Sequence, residues 1–148
     1  MQEDLMWTLK QLHLSLEQYG RLQMKAIDIS PTQGMVLQYL LSQKSQAVYA
    51  VDLHAALGLS KSTISSTLRG LKQKGYLIMT ENPADDRKKQ IVLTDQAFDR
   101  KKTIDASLQE QQKQLCKAIS PQRLKWLEDD LTMMLANIRN ESGWEEQP

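Results

Sequence analysis

The sequence predicts a mostly α-helical fold with a small β-hairpin. It reads as a winged helix-turn-helix core flanked by helices from both ends of the chain. Three observations carry this. Apolar residues recur at helical spacing over most of the chain. Two short helical patterns meet at a Gly-containing turn, "ALGLSKS". Two β-prone runs, "YLIMT" and "QIVL", flank the charged stretch "ENPADDRKK". The 148 residues are enough for one domain, 1–148, with one sizeable core. Within it, 31–94 forms the winged helix-turn-helix, with flanking helices over 1–28 and 95–140.

The first helix follows Leu5, Leu9, Leu12, Leu16 and Tyr19, at steps of four, three, four and three. Gly20 and "DIS" loosen it. Ser30 suits an N-cap and Pro31 the first helical position of a second helix. Its residues Val36, Leu37, Tyr39, Leu40 and Leu41 are apolar around much of the circumference, so it should be buried. "AVYAV" is a short strand. In "VDLHAALG", Leu53, Ala56 and Leu57 face inward and Gly58 ends the helix. The next helix is capped by Ser60, carries Ile64, Leu68 and Leu71 inward, and closes at Gly75. After the hairpin, Thr94 caps a long helix bearing Ile104, Leu108, Leu115 and Ile119. Ser120-Pro121 starts the last helix, with Leu124, Leu127, Leu131, Met134 and Ile138 on one stripe. Trp144, in the polar tail, has no assigned role.

Composition narrows the function classes. Charged residues make up 25% and hydrophobic ones 41%, an ordinary globular balance. No apolar run approaches the roughly 20 residues that span a bilayer. The amino-terminal "MQEDLMWTLK" does not read as a signal peptide, so the expected compartment is the cytoplasm. One cysteine, Cys116, excludes an internal disulfide and a cysteine-cluster metal site. His13 and His54 lie far apart with no ligand spacing around them, so no metal or cofactor is expected. No catalytic set appears at a convincing spacing, so the chain is not expected to be an enzyme.

Net charge is only +1, but it is unevenly spread. Residues 61–91 hold seven cations and three anions, a balance of +4; the remainder holds 12 cations and 15 anions. A basic middle between acidic ends suits a polyanion. From Ser60 to Leu71 there is no acidic residue. An ordinary surface helix carries Glu and Lys on its outer face. This one presents Ser62, Thr63, Ser65, Ser66 and Arg69, although Ser and Thr are mediocre helix formers and Gly70 costs about 1 kcal/mol relative to Ala. Short side chains admit a helix to a major groove, and Arg can fork to guanine. Lys61, Lys72 and Lys74 are placed to reach phosphates.

The hairpin tip, Asn82 to Lys89, is eight residues long and can project as a wing. Asp85 and Arg87 are two apart, so on an extended strand the carboxylate can brace the guanidinium. A braced Arg suits a narrow minor groove. Lys88 and Lys89 would add phosphate contacts. The competing reading of the tip is charge protection of an edge strand.

The run "DLHAALGLSKSTISSTLRGLKQKGYLIMTENPADDRKKQIVLTDQA" resembles the MarR family of multiple-antibiotic-resistance regulators. Leu57 to Ile64, Leu71, Lys74-Gly75, Asp85-x-Arg87 and Val92-Leu93-Thr94 carry the likeness. It implies a transcriptional regulator, most often a repressor, binding a palindromic operator in duplex DNA. It also implies a homodimer joined by the N- and C-terminal helices. The family's wing motif falls on Asp85 and Arg87, and its recognition-helix contacts on Ser62, Thr63, Ser65, Ser66 and Arg69. Many members bind small aromatic acids or drugs between the dimer helices and the winged domain, where Trp7, His13, Met35 and Tyr39 would lie. Each of these four also reads as a core residue, and Cys116 as a packing residue. Two departures are Ala97, where the family often has Gly, and Gly70, where a larger polar residue is usual. The alternative function is a winged-helix protein–protein module that does not bind DNA.

Overall fold

The computed structural model describes residues 2–43, 47–82 and 84–144; the side chains of residues 2, 3, 82 and 85–87 lie outside that description. The elements run α1 (Gln2–Gln23), a 3-10 turn (Lys25–Ile27), α2 (Pro31–Ser42), β1 (Val48–Tyr49), a 3-10 turn (Ala50–Asp52), α3 (Leu53–Leu57), α4 (Lys61–Gln73), β2 (Leu77–Asn82), β3 (Asp85–Leu93), α5 (Asp95–Asp99), α6 (Lys101–Leu115) and α7 (Pro121–Ser142). The chain forms two compact units, Met1–Gln111 and Gln112–Pro148.

The first unit holds the core. Met24, Val36, Leu37, Leu53, Leu71, Leu77 and Ile104 are fully buried. Each such side chain stabilises the fold by about 1.5–3 kcal/mol. Helix α2 begins on a capping box: the Ser30 hydroxyl accepts from the Gln33 amide at 3.2 Å, and the Gln33 side chain accepts from the Ser30 N–H at 3.1 Å. Gly34 lies against Met24, whose Sδ would sit 2.7 Å from any Cβ there. The absent side chain gives Met24 its place in the core.

Three strands form one antiparallel sheet in the order β1-β3-β2. Strand β1 joins the hairpin through Val48↔Ile91 and Tyr49↔Gln90, a pairing not read from the sequence. Leu77, Met79, Ile91 and Leu93 line the inner face, and Ile78 opposite Val92 is exposed on the other. The hairpin differs from its expected form. The strands run on to Asn82 and restart at Asp85, so the eight-residue tip shrinks to a connection of residues 83–84. The ladder passes from Glu81↔Lys89 to Asn82↔Asp85, which leaves Asp86, Arg87 and Lys88 within the register shift.

Four further expectations are corrected. The long helix after Thr94 is two helices, α5 and α6, broken at Arg100. Arg100 N–H bonds both the Ala97 and Phe98 carbonyls, a tightened turn that ends the first helix. Thr94 does not cap with its side chain; its hydroxyl donates to the Gly75 carbonyl at 2.6 Å. Ile119 falls beyond α6, which stops at Leu115, and Ala118 takes the left-handed region at φ 65°. Ala56 is exposed rather than inward.

The second unit contains α7, capped by Ser120, whose hydroxyl accepts from Arg123 N–H at 3.3 Å. Gly143 closes it at φ 63°. Trp144 now has a partner, since the Arg139 guanidinium lies 4.6 Å above its ring.

Candidate nucleic-acid interface

The turn between α3 and α4 is built by three local devices. Gly58 takes φ 66°, a conformation costly for any side chain. His54 Nδ1 lies 2.6 Å from the Leu59 carbonyl, which can only accept, so the ring donates. Ser60 then caps α4, its hydroxyl accepting from Thr63 N–H at 3.1 Å. Leu59, within the turn, packs partly buried against the core.

Helix α4 splits cleanly into two faces. Ile64, Thr67, Leu68 and Leu71 are buried. Lys61, Ser62, Ser65, Ser66, Arg69 and Lys72 are exposed. Thr63 is half-buried and its hydroxyl accepts from Ser60 at 2.8 Å, so it belongs partly to the cap. The Ser66 hydroxyl donates back to the Thr63 carbonyl at 3.2 Å.

A cavity of about 590 Å³ separates this face from the sheet. Lys61, Arg69 and Lys72 from α4 meet Lys89 from β3 around it. Ala50, Val51 and His54 add a wall that the sequence reading did not include. Val51 is exposed although apolar, and that pairing of chemistry and position shows only once α3 is placed. Among the described residues no carboxylate lines the cavity. Lys88 lies 5.7 Å above the Tyr49 ring, so β1 steadies the wing through its side chain as well as its backbone. Asp85 and Arg87 lie in β3, but the proposed bracing contact between their side chains falls outside the described residues.

Lys74 is not part of this face. Its ammonium donates to the Asp28 carbonyl at 2.5 Å and to Gln33 Oε1 at 2.9 Å, toward α2 and the turn before it.

The expected small-molecule residues separate into two groups. Met35 and Tyr39 line a second cavity of about 560 Å³ together with Leu57, Leu59, Lys101 and Asp105. Trp7 and His13 are not among its lining residues; both are exposed on α1. Lys101 lies 2.6 Å from Asp105, and this hydrogen bond, with a weaker one from Gln38, holds the Asp105 carboxyl below the ordinary carboxylate range. Among the described residues no cluster of His, Cys, Asp or Glu could hold a metal ion, and no helix is long and apolar enough to cross a membrane.

Residues 27–88 match the model of the MarR family. The fold matches the S. aureus MepR–DNA complex at a TM-score of 0.80 and 23% identity, over 88% of this chain and 96% of that one. It matches the transcriptional regulator SlyA at 0.81 and 15%, over 96% and 97%. A MarR-family regulator from Listeria monocytogenes, complexed with a 26mer DNA, gives 0.77 and 16%, over 92% and 89%. At these identities the likeness establishes the fold. The comparison with curated proteins found no match.

Proposed function

Residues 27–88 match the model of the MarR family, and on that premise we propose that the chain is a sequence-specific, duplex-DNA-binding transcriptional regulator of that family. It acts in the cytoplasm as a homodimer and represses from a palindromic operator. Helix α4 enters the major groove through Ser62, Ser65, Ser66 and Arg69, with Thr63 at its edge. The wing, carrying Arg87, follows the minor groove, and Lys61, Lys72, Lys88 and Lys89 contact phosphates.

The observation that carries this is the exposed face of α4. It is polar, free of acid, and adjoins a cavity that Lys61, Arg69, Lys72 and Lys89 line. Two of the similar structures, from S. aureus and Listeria monocytogenes, were solved with DNA, which supports the same role here. Dimerisation is supported by the apolar stripes left open on α1 and α7: Leu5, Leu9, Leu12, Leu127, Leu131, Met134 and Ile138 are all exposed. The cavity beside Met35 and Tyr39 supports release by a small aromatic effector, which would favour a dimer shape whose recognition helices miss their half-sites.

Titration of duplex DNA over a range of salt concentrations tests the reading. Binding should weaken steeply, with a log–log slope of about −0.9 per phosphate contacted. Binding that ignores salt, or none at all, would favour a protein–protein module.

A further inference from the structure

Gly70 breaks helix propensity in the last turn of α4, and Lys74 is a cation withheld from the basic face. One arrangement explains both. Gln33 of α2 reaches across to α4, and a Cβ on residue 70 would stand 2.5 Å from its Nε2. A side chain there would push the amide off the helix backbone. The other end of the amide, Oε1, accepts twice: from Ser30 N–H at 3.1 Å and from the Lys74 ammonium at 2.9 Å. Only an oxygen can accept from both, so the amide's orientation is fixed by its partners. The ammonium's second bond goes to the Asp28 carbonyl, just before α2. Asp28 is itself held at φ 50°, turning that carbonyl at the close of the 3-10 turn. One side chain thus closes the N-terminal cap of α2 and grips the C-terminal end of α4.

We propose that Gln33 and Lys74 are positioning residues that set the recognition helix on α2, with Gly70 as the slot that admits the Gln33 amide. This rests on the reading of α4 as a DNA-recognition helix. Both residues act through α4 and touch no DNA. The same helix α2 supplies Met35 and Tyr39 to the second cavity, so a shift of α2 would reach α4 through this latch.

The test is a duplex titration across salt concentrations with wild type, Gln33→Ala, Lys74→Met, the double variant and Gln33→Glu, against specific and random-sequence DNA. Stoichiometric titration gives the active fraction of each protein. Each single variant should lose specific affinity by roughly three- to thirtyfold while random-sequence affinity and the salt slope hold. The double variant should lose no more than the worse single. Gln33→Glu keeps the shared acceptor and should restore the wild-type ratio of specific to random binding. If Lys74→Met instead flattens the salt slope by about one unit and Gln33→Ala is silent, Lys74 is a phosphate contact and the latch is overturned. Single variants with wild-type binding overturn it equally. A wild type that binds no duplex removes the DNA reading itself, an outcome separate from both. Should Lys74→Met fail to fold, Gln33→Ala and Gln33→Glu still decide the matter.

Discussion

Arg87 lies where the ladder of β2 and β3 breaks register, between the pairs Glu81↔Lys89 and Asn82↔Asp85. A register shift re-aims side chains that a regular strand would alternate face to face. The sequence placed a charged tip here but overstated its length, because Asp, Arg and Lys read as loop when considered alone. Strand pairing outweighs that local preference. The expected outcome for Arg87→Ala is a loss of specific binding of about 1–3 kcal/mol, measured on a preferred duplex. Unchanged affinity would leave the wing as edge protection. Lys74 shows the opposite limit of sequence reading. Its charge and position match Lys72, yet one is exposed and the other points its ammonium at Asp28 and Gln33, 46 and 41 residues earlier in the chain. No local pattern carries that distance. Gly70 was visible as an anomaly, and its explanation lies in Gln33, on another helix.

Helix α4 was the most legible element, since its cap, apolar spacing and bare outer face are all local signals. Ser60, Ile64, Leu68 and Leu71 stand in the roles their spacing assigns. The Ser60 hydroxyl holds both the Thr63 amide and the Thr63 hydroxyl. Ser60→Ala should therefore cost about 0.5–2 kcal/mol in urea unfolding. No loss would mean that the cap adds nothing to α4. The junction of α5 and α6 was illegible for a physical reason. Thr94 followed by helix formers is a sound start signal, but the Thr94 hydroxyl is drawn to Gly75, across the base of the hairpin. Asp105, on α6, ties that helix to α2 through Gln38 at 3.3 Å. Because its pKa is lowered in the fold, its contribution is present at neutral pH and fades as pH falls below the ordinary carboxylate value of about 3.9. Its partial exposure keeps that contribution small.

At the scale of the whole molecule, the described core belongs to the first unit, and α7 contributes no buried residue to it. The heptad-like spacing of Leu127, Leu131, Met134 and Ile138 was plain in the sequence, but whether such a stripe packs within one chain or against a second copy is not a local property. Their exposure in the single chain points to a partner helix, and twofold pairing would give two recognition helices one DNA turn apart. The double variant Leu127→Glu, Leu131→Glu should keep its helical circular dichroism while sedimenting as a monomer; a wild type that is monomeric at micromolar concentration would contradict the dimer outright. The most direct measurement is selection of bound sites from random duplex DNA by the wild-type chain. An inverted repeat should emerge, with half-site centres about 10–10.5 base pairs, or a multiple of that, apart. Recovery of no enriched sequence would contradict the assignment of α4 as a reader of DNA.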